Sequence, residues 1–266
     1  MATYLDDLLD TARARAAEVH DANEAAGLRV RADALAAERD GSRLHAALSA
    51  PGVSVIAEVK RASPSKGELA PGIDAATQAS RYLDGGASAI SVLTEPSRFE
   101  GDLEDLTEVS DLGAVALRKD FIVDPVMIHE AVVAGASGVL LIVAALSDGE
   151  LRTMHDEATR LGLDVLVEVH GEDEVERALA AGATILGVNA RNLQTFELDR
   201  DAFGRIRPQL PDGVLAVAES GVRGPDDVAR ARDEGADAVL VGEFVVTADD
   251  PTATVASLVE AGRHRK

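Results

Sequence analysis

The sequence predicts an α/β fold, a (β/α)8 TIM barrel with an N-terminal helical extension, and three observations carry that expectation. Short apolar runs recur eight times along the 266 residues, each followed by polar residues and a segment of helical period. The runs start roughly 20 to 34 residues apart, the spacing of repeated strand–helix units. They are continuous in Val, Ile, Leu and Ala instead of alternating, which marks strands buried on both faces of a parallel sheet.

The first 50 residues stand outside the repeat. Leu5, Leu8, Leu9, Ala12 and Ala16 share one helical face, and residues 30–48 also read as helix, until Pro51-Gly52 breaks the chain. Residues 1–50 are therefore expected to form a helical extension packed on the barrel, and residues 51–266 the barrel itself, a single catalytic domain. Such an extension can plug one end of the core or shape a substrate pocket, and the two are compatible. The strands are expected at 53–59, 87–93, 114–117, 138–143, 165–169, 185–188, 215–218 and 238–241. Several runs open in the same way, with Gly86-Ala87, Gly135-Ala136, Gly182-Ala183 and Gly235-Ala236, each Gly closing a helix at its C-terminal cap. Between the runs lie amphipathic segments, such as Glu172, Val175, Ala178 and Leu179, with Asp74, Ser147 and Asp226 as capping candidates. Eight units in about 215 residues fit the closed barrel. An open doubly wound sheet is the competitor, but no G-x-G-x-x-G follows the first run and no G-x-x-x-x-G-K-[ST] occurs.

Composition removes several functions. With no Cys there is no disulfide framework, no thiolate nucleophile and no Cys-based metal site. Against 47 Asp+Glu stand 26 Lys+Arg, and a net charge of −21 repels phosphate backbones, so nucleic acid is not an expected partner. The opening residues are acidic, unlike a secretory signal, and the longest uncharged stretch, 131–147, is broken by Gly135 and Gly138 and too short to span a bilayer. A cytoplasmic protein without a membrane partner is expected. Only four of the basic residues are lysine: Lys60, Lys66, Lys119 and Lys266. Acidic excess with scarce lysine fits work in concentrated salt, and it also fits a GC-rich genome that favours Arg codons. Where Arg serves almost everywhere, Lys60 and Lys119, each following an apolar run, invite a chemical reason, since an ammonium has a tunable pKa and a guanidinium does not.

Chemistry in this fold gathers at the C-terminal ends of the strands. Period-two geometry puts Glu58 and Lys60 on the face of Ile56, Lys119 on that of Leu117, and Glu168 between Leu166 and His170. Later strands end in Asn189-Ala190-Arg191, Glu219-Ser220-Gly221 and Gly242-Glu243. Buried ionisable groups cost several kcal/mol unless paired or used, so this set reads either as structural ion pairs over the core or as an active site. Ser220-Gly221 and Gly242-Glu243 offer small residues and backbone N–H groups where this fold often holds a phosphate, with Arg191 as a possible clamp; ordinary tight turns are the alternative. Glu243 is the weakest member and can serve through its backbone alone. A lysine Schiff base at Lys60 or Lys119 stays open, since burial lowers a lysine pKa. The six His show no metal-ligand spacing, and His129, His155 and His264 read as exposed helix residues.

The segment Ile56-Ala57-Glu58-Val59-Lys60-Arg61-Ala62-Ser63-Pro64-Ser65 resembles the signature of the indole-3-glycerol phosphate synthase family. The resemblance continues through Ser91-Val92-Leu93-Thr94-Glu95, Arg118-Lys119-Asp120-Phe121-Ile122, Leu166-Val167-Glu168-Val169-His170, Gly187-Val188-Asn189-Ala190-Arg191-Asn192-Leu193 and Ala218-Glu219-Ser220-Gly221. It implies ring closure of 1-(2-carboxyphenylamino)-1-deoxyribulose 5-phosphate with loss of CO2 and water, in tryptophan biosynthesis, by a carboxy-lyase that needs neither metal nor organic cofactor. By the same resemblance Lys119 is the general acid of closure, and Lys60 holds the substrate carboxylate or acts as an acid. Glu168 is the base or proton shuttle of dehydration, and Glu58 and Asn189 position lysines and substrate hydroxyls. Ser63, Arg191, Glu219, Ser220, Gly221, Gly242 and Glu243 bind substrate and phosphate, Ser220 counting also with the catalytic set, and Phe99 and Phe121 enclose the anthranilate ring. The only partner implied is the phosphorylated small molecule. Ala190, Val59 and the Gly-Glu end of the last strand depart from some members without removing a catalytic position. Pro64, Gly67 and Pro71 suggest a lid-like segment over 63–70.

Overall fold

A computed structural model describes residues 4–22, 24–39 and 41–263. Eight strands, β1 (Ser54–Val59), β2 (Ala89–Leu93), β3 (Ala116–Lys119), β4 (Gly138–Ile142), β5 (Asp164–Val169), β6 (Ile185–Asn189), β7 (Leu215–Glu219) and β8 (Ala238–Val241), close into one barrel in sequence order. All neighbours are parallel, and β1 seals the ring by pairing Ser54 with Ala238 on one side and Ile56 with Ala89 on the other. A helix follows each strand: Ala75–Asp84, Leu103–Asp111, Pro125–Val133, Asp148–Arg160, Glu172–Ala180, Ala202–Ile206, Pro225–Asp233 and Pro251–Gly262. The strands are buried along almost their whole length, as their unbroken apolar composition requires.

The repeated Gly-Ala pairs do what their spacing predicts. Gly86, Gly135, Gly182 and Gly235 take φ values of 91, 83, 102 and 91°, the left-handed conformation that turns a helix end into the next strand. Asp74 accepts from the Thr77 N–H at 2.7 Å, and Ser147 and Glu150 form a reciprocal capping box. Asp226 is not a cap: Gly224 holds that position and Pro225 is the first helical residue, which puts Asp226 inside the first turn.

Three helices precede the barrel: α1 (Tyr4–Asp21), α2 (Ala25–Ala36) and α3 (Arg43–Leu48). The helix expected over 30–48 is broken. The chain turns after Ala36 and restarts at Arg43 through Ser42 at φ 66°, and Arg39 in the turn donates to the Ala136 carbonyl on the barrel. Helices α1 and α3 go to opposite ends of the barrel, and α2 packs on the outer helix Pro125–Val133. Leu5, Leu8, Leu9, Ala12 and Ala16 are the buried face of α1, which lies over the C-terminal mouth, where Arg15 grips Asp120 just past β3. Helix α3 closes the other end, with Ser54 Oγ donating to the Ala47 carbonyl and the His45 N–H donating to Asp164 at the foot of β5. A Cβ on Gly138 would stand 2.8 Å from Leu44 Cδ2, so that strand must begin with glycine for α3 to seat.

Strand starts agree with the apolar runs to within two residues, but several ends run further. β3, β6 and β7 continue through Lys119, Asn189 and Glu219, because the backbone ladder carries the polar groups that a hydrophobic pattern excludes. His129 is buried, 7% exposed, and bonds Glu157 at 2.8 Å, and His155 is half-buried against Gly182, so neither is the exposed residue expected. Their helix faces pack on neighbouring helices instead of meeting water. His264 and Lys266 lie outside the described residues. Among the described residues no helix is long and apolar enough to cross a membrane.

Candidate active site

The C-terminal mouth of the barrel opens into a cavity of about 650 Å³, well within the range for a small-molecule site. Every side chain and turn expected at this site lines it: Glu58, Lys60, Ser63, Phe99, Lys119, Phe121, Glu168, Asn189, Arg191, Glu219, Ser220, Gly221, Gly242 and Glu243. Tyr4, Leu5 and Leu8 of α1 form part of the wall, the pocket-shaping role that was one of the two expected of the extension, whereas Lys66, Phe196 and Phe244 from the strand-end loops were not among the expected residues. The apolar stripe on α1 was visible, but nothing in it distinguishes a pocket wall from a core contact.

The floor is a cluster of charges on alternate strands. On β1, Lys60 Nζ lies 2.7 Å from Glu58 Oε1, and Ser91 Oγ on β2 donates to Glu58 Oε2 at 3.3 Å. Lys119, at the tip of β3, donates to Glu168 Oε2 on β5 at 3.3 Å and stands 3.9 Å from Glu219 Oε2 on β7. Glu58, Glu168 and Glu219 are 4, 1 and 2% exposed, so their charges must be settled by one another and not by water. Burial works against the Lys119 ammonium, but the carboxylates of Glu168, Glu219 and Glu58 outweigh it and raise its pKa. The lowered amine pKa that a Schiff-base role needs is therefore absent at Lys119. Burial also opposes ionisation of Glu168, yet Lys119 and His170 hold its pKa well below the usual carboxylate range. Glu219 goes the other way: burial and the neighbouring Glu168 raise its pKa.

Two glycines make room for this cluster. A Cβ on Gly242 would stand 2.5 Å from Glu58 Oε1 and 2.7 Å from Lys60 Nζ. A Cβ on Gly187 in β6 would overlap the Glu219 carboxylate. Sequence reading saw the first as a candidate phosphate turn and passed over the second.

Past β7 the chain makes two consecutive left-handed residues, Ser220 at φ 65° and Gly221 at φ 84°. A non-glycine residue there costs on the order of 1 kcal/mol, and such strain collects at functional sites. Ser220 Oγ donates to Asn189 Oδ1 at 2.8 Å and the Arg191 N–H donates to the same oxygen at 3.0 Å. Asn189 thus spends its carbonyl on holding two strand ends together, which leaves its amide N–H groups for a ligand. Arg191 Nη1 donates to the Phe196 carbonyl at 3.1 Å, so in this structure it braces its own loop. The Glu243 carboxylate turns away to Lys66, 3.4 Å distant, and leaves its backbone at the start of the short helix Glu243–Val246. Ser63 lies in a small hairpin, Ala62–Ser63 paired with Gly67–Glu68, which gives the 63–70 segment a fixed register.

The opposite side of the mouth is apolar. Phe99 and Phe121 stand there with ring centroids 6.4 Å apart, while Tyr4 of α1 meets Phe196, in the loop after β6, edge to face at 4.9 Å. In a ring of eight strands β3 and β7 are diametrically opposed, so the aromatic pair faces the Ser220-Gly221 turn across the charged floor. A ligand with a flat ring at one end and an anion at the other would lay its middle over Lys119, Lys60 and Glu168. Among the described residues no group of three His, Cys, Asp or Glu side chains is arranged to hold a metal ion.

Comparison with known proteins places the whole chain. The family model described as indole-3-glycerol phosphate synthase matches residues 8–258. Among curated relatives, indole-3-glycerol phosphate synthase of Mycolicibacterium gilvum is 53% identical, over 99% of this chain and 96% of its own. The corresponding protein of Rhodococcus jostii is 51% identical, over 98% and 97%. Solved structures show the same fold at lower identity. A 3-hexulose-6-phosphate synthase superposes with a TM-score of 0.63 at 18% identity, over 79% of this chain and 99% of its own. A thiamine phosphate pyrophosphorylase from Pyrococcus furiosus gives 0.60 at 17%, over 79% and 94%.

Proposed function

The chain belongs to the indole-3-glycerol phosphate synthase family, and from that premise we propose how its cavity carries out the reaction. The enzyme is a carboxy-lyase of tryptophan biosynthesis. It converts 1-(2-carboxyphenylamino)-1-deoxyribulose 5-phosphate into indole-3-glycerol phosphate, CO2 and water.

The substrate lies with its aromatic ring between Phe99 and Phe121 and its phosphate on the N–H groups of Gly221 and of the Gly242-Glu243 turn, Ser63 helping to hold it. The ring carbon that bears the carboxylate attacks the ketone carbon. As the new C–C bond forms, the carbonyl electron pair moves to oxygen, which takes a proton from the Lys119 ammonium. Lys60 neutralises the substrate carboxylate until its C–C bond breaks, CO2 leaves and the ring regains aromaticity. The new hydroxyl then departs as water with a proton from Lys60, and Glu168 removes a proton from the carbon next to nitrogen to complete the indole. Two protons are given and one is taken, so each turnover takes up one proton from solvent. Glu168 returns its proton to Lys119 across 3.3 Å, and solvent resets Lys60.

The observation that carries this reading is the Lys119–Glu168 contact: an ammonium held charged and a carboxylate held ionised, within transfer distance, on the floor of a cavity with an apolar end and an anion-binding end. Asn189 and Ser220 fix the floor's far side, Glu58 fixes Lys60, and Glu219 and Arg191 serve the sugar hydroxyls and the loop. Residues 51–266 hold the chemistry, and residues 1–50 supply one wall and the plug beneath the core. A cytoplasmic protein adapted to salt accounts for the acidic surface. A fluorescence assay for the indole product, run on the wild-type protein at low and at molar KCl, tests both. Turnover is expected, rising with salt together with the melting temperature. No turnover at either salt from a folded protein that binds phosphate esters would refute the reaction, and a salt-independent melting temperature would refute the adaptation.

A further inference from the structure

The proposed mechanism uses one oxygen of Glu168, the Oε2 that meets Lys119. The other, Oε1, lies 3.3 Å from Nε2 of His170, two residues further along β5. On the far side of the imidazole, Nδ1 is 3.7 Å from Oε2 of Glu174, in the first turn of the helix Glu172–Ala180. The same Glu174 oxygen accepts the His170 backbone N–H at 2.7 Å, which ties that helix to the strand end. The imidazole side chain is only 13% exposed. It does not line the cavity, so it does not touch substrate.

Neither ring nitrogen makes a well-directed hydrogen bond, but a carboxylate within ion-pair distance of each one favours the cation. Burial alone would discharge it, but Glu168 and Glu174 push its pKa up to about 10. Among the described residues, Glu168 has Lys119 from β3 and Glu219 from β7 beside it, with Glu58 of β1 acting on both of those, and the charges that act most strongly on His170 are Glu168 and Glu174. Lys119 becomes neutral when it protonates the ketone oxygen. In that interval Glu168 keeps the acid Glu219 as neighbour and loses its ammonium, so it needs another cation to stay a base.

We propose that His170 is the positioning residue of Glu168: its imidazolium holds Oε1, aims Oε2 at Lys119 and substrate, and sustains the carboxylate while Lys119 is discharged. This rests on the reading of Glu168 as the dehydration base. A purely structural histidine, sealing the turn after β5, would sit in the same place but would not set the ionisation of Glu168.

The test compares kcat and KM across pH for the wild-type enzyme, His170→Gln and Glu168→Gln. Gln keeps a polar side chain of similar reach and removes the charge. For His170→Gln the expected result is an unchanged KM, a kcat lower by about tenfold at neutral pH, and an acid limb moved up by about one pH unit, the displacement that losing an adjacent opposite charge produces. An acid limb at the wild-type position would overturn the inference. Full turnover by Glu168→Gln would instead overturn the reading of Glu168 and the inference with it. A third measurement does not depend on any variant folding. In the wild-type protein, ¹⁵N NMR should show the His170 ring doubly protonated from about pH 6 to 9; a ring that loses its proton near the ordinary histidine value would overturn the inference.

Discussion

Arg15, in the first helix, holds Asp120 with two parallel hydrogen bonds of 2.7 and 3.0 Å, and Asp120 is the residue after Lys119. The carboxylate is 2% exposed and is further bound by Thr94 Oγ1 at 2.7 Å and by the Arg118 guanidinium at 3.1 Å. Burial would raise its pKa, but Arg15 and Arg118 outweigh that and hold it at about 2. The helical extension is thus clamped to the end of the strand that carries Lys119, and the clamp brings Tyr4, Leu5 and Leu8 over the cavity. Arg118 and Lys119 show how one strand serves both purposes: adjacent residues point to opposite faces, one into the barrel wall and one into the mouth.

Breaking that clamp is expected to loosen both fold and site. Arg15→Met removes one of two guanidiniums from a buried carboxylate and should cost about 3 kcal/mol in urea unfolding, since a buried charge left under-compensated is strongly destabilising. The same variant should raise KM, because the wall supplied by α1 loses its anchor. Unfolding within 1 kcal/mol of wild type, with KM unchanged, would mean that the pair is decorative.

The raised pKa of Glu219 makes a prediction of opposite sign from that of most acid substitutions. A carboxyl group whose pKa is raised in the folded state favours folding below the unfolded value, and that contribution is lost as pH rises. Glu219→Gln, a neutral isostere of the protonated acid, should therefore gain stability relative to wild type as pH climbs from about 4 toward 8. Melting temperatures of the two proteins across that range would show it. A difference that shrinks or reverses with rising pH would mean that Glu219 is ionised and paired with Lys119.

Gly187→Ala tests the space reserved for that acid. A Cβ there overlaps the Glu219 carboxylate, so the carboxyl must move to make room for it. The carboxyl would be displaced by roughly 1 Å, a misplacement that can cost on the order of 100-fold in rate. Gly149→Ala is the control, because a Cβ at that helical position meets nothing within 4 Å. Equal kcat in the two variants would show that Glu219 has room to move.

Much of this was legible in the sequence because the relevant signals are local. Each Gly-Ala pair announces a helix end, each apolar run a buried strand, and the polar residue two positions past the apolar face must point where Ile56 or Leu117 points. That is why the sequence alone assigns Glu58, Lys60, Lys119 and Glu168 to one mouth. What stayed hidden depends on distant partners. The left-handed Ser220 is held by Asn189, 31 residues away, and has no signature of its own. The burial of His129 is decided by Glu157 on the next helix. The break between α2 and α3 comes from a segment whose Arg39 docks on the barrel, and helical periodicity alone runs straight through it. Nor could counting charges show that Lys119 is held as an ammonium, since the sign of its shift depends on three carboxylates arriving from three different strands.

The central claim is that Lys119 protonates the ketone oxygen during ring closure. Steady-state turnover of Lys119→Met, measured by indole fluorescence beside substrate binding and a melting curve, tests it most directly. The account predicts a folded protein that binds the carboxyphenylamino-deoxyribulose phosphate with near wild-type affinity and turns it over at least about 100-fold more slowly, the scale of a lost general acid. A folded Lys119→Met protein with kcat within a few-fold of wild type would contradict it and move the acid to another residue.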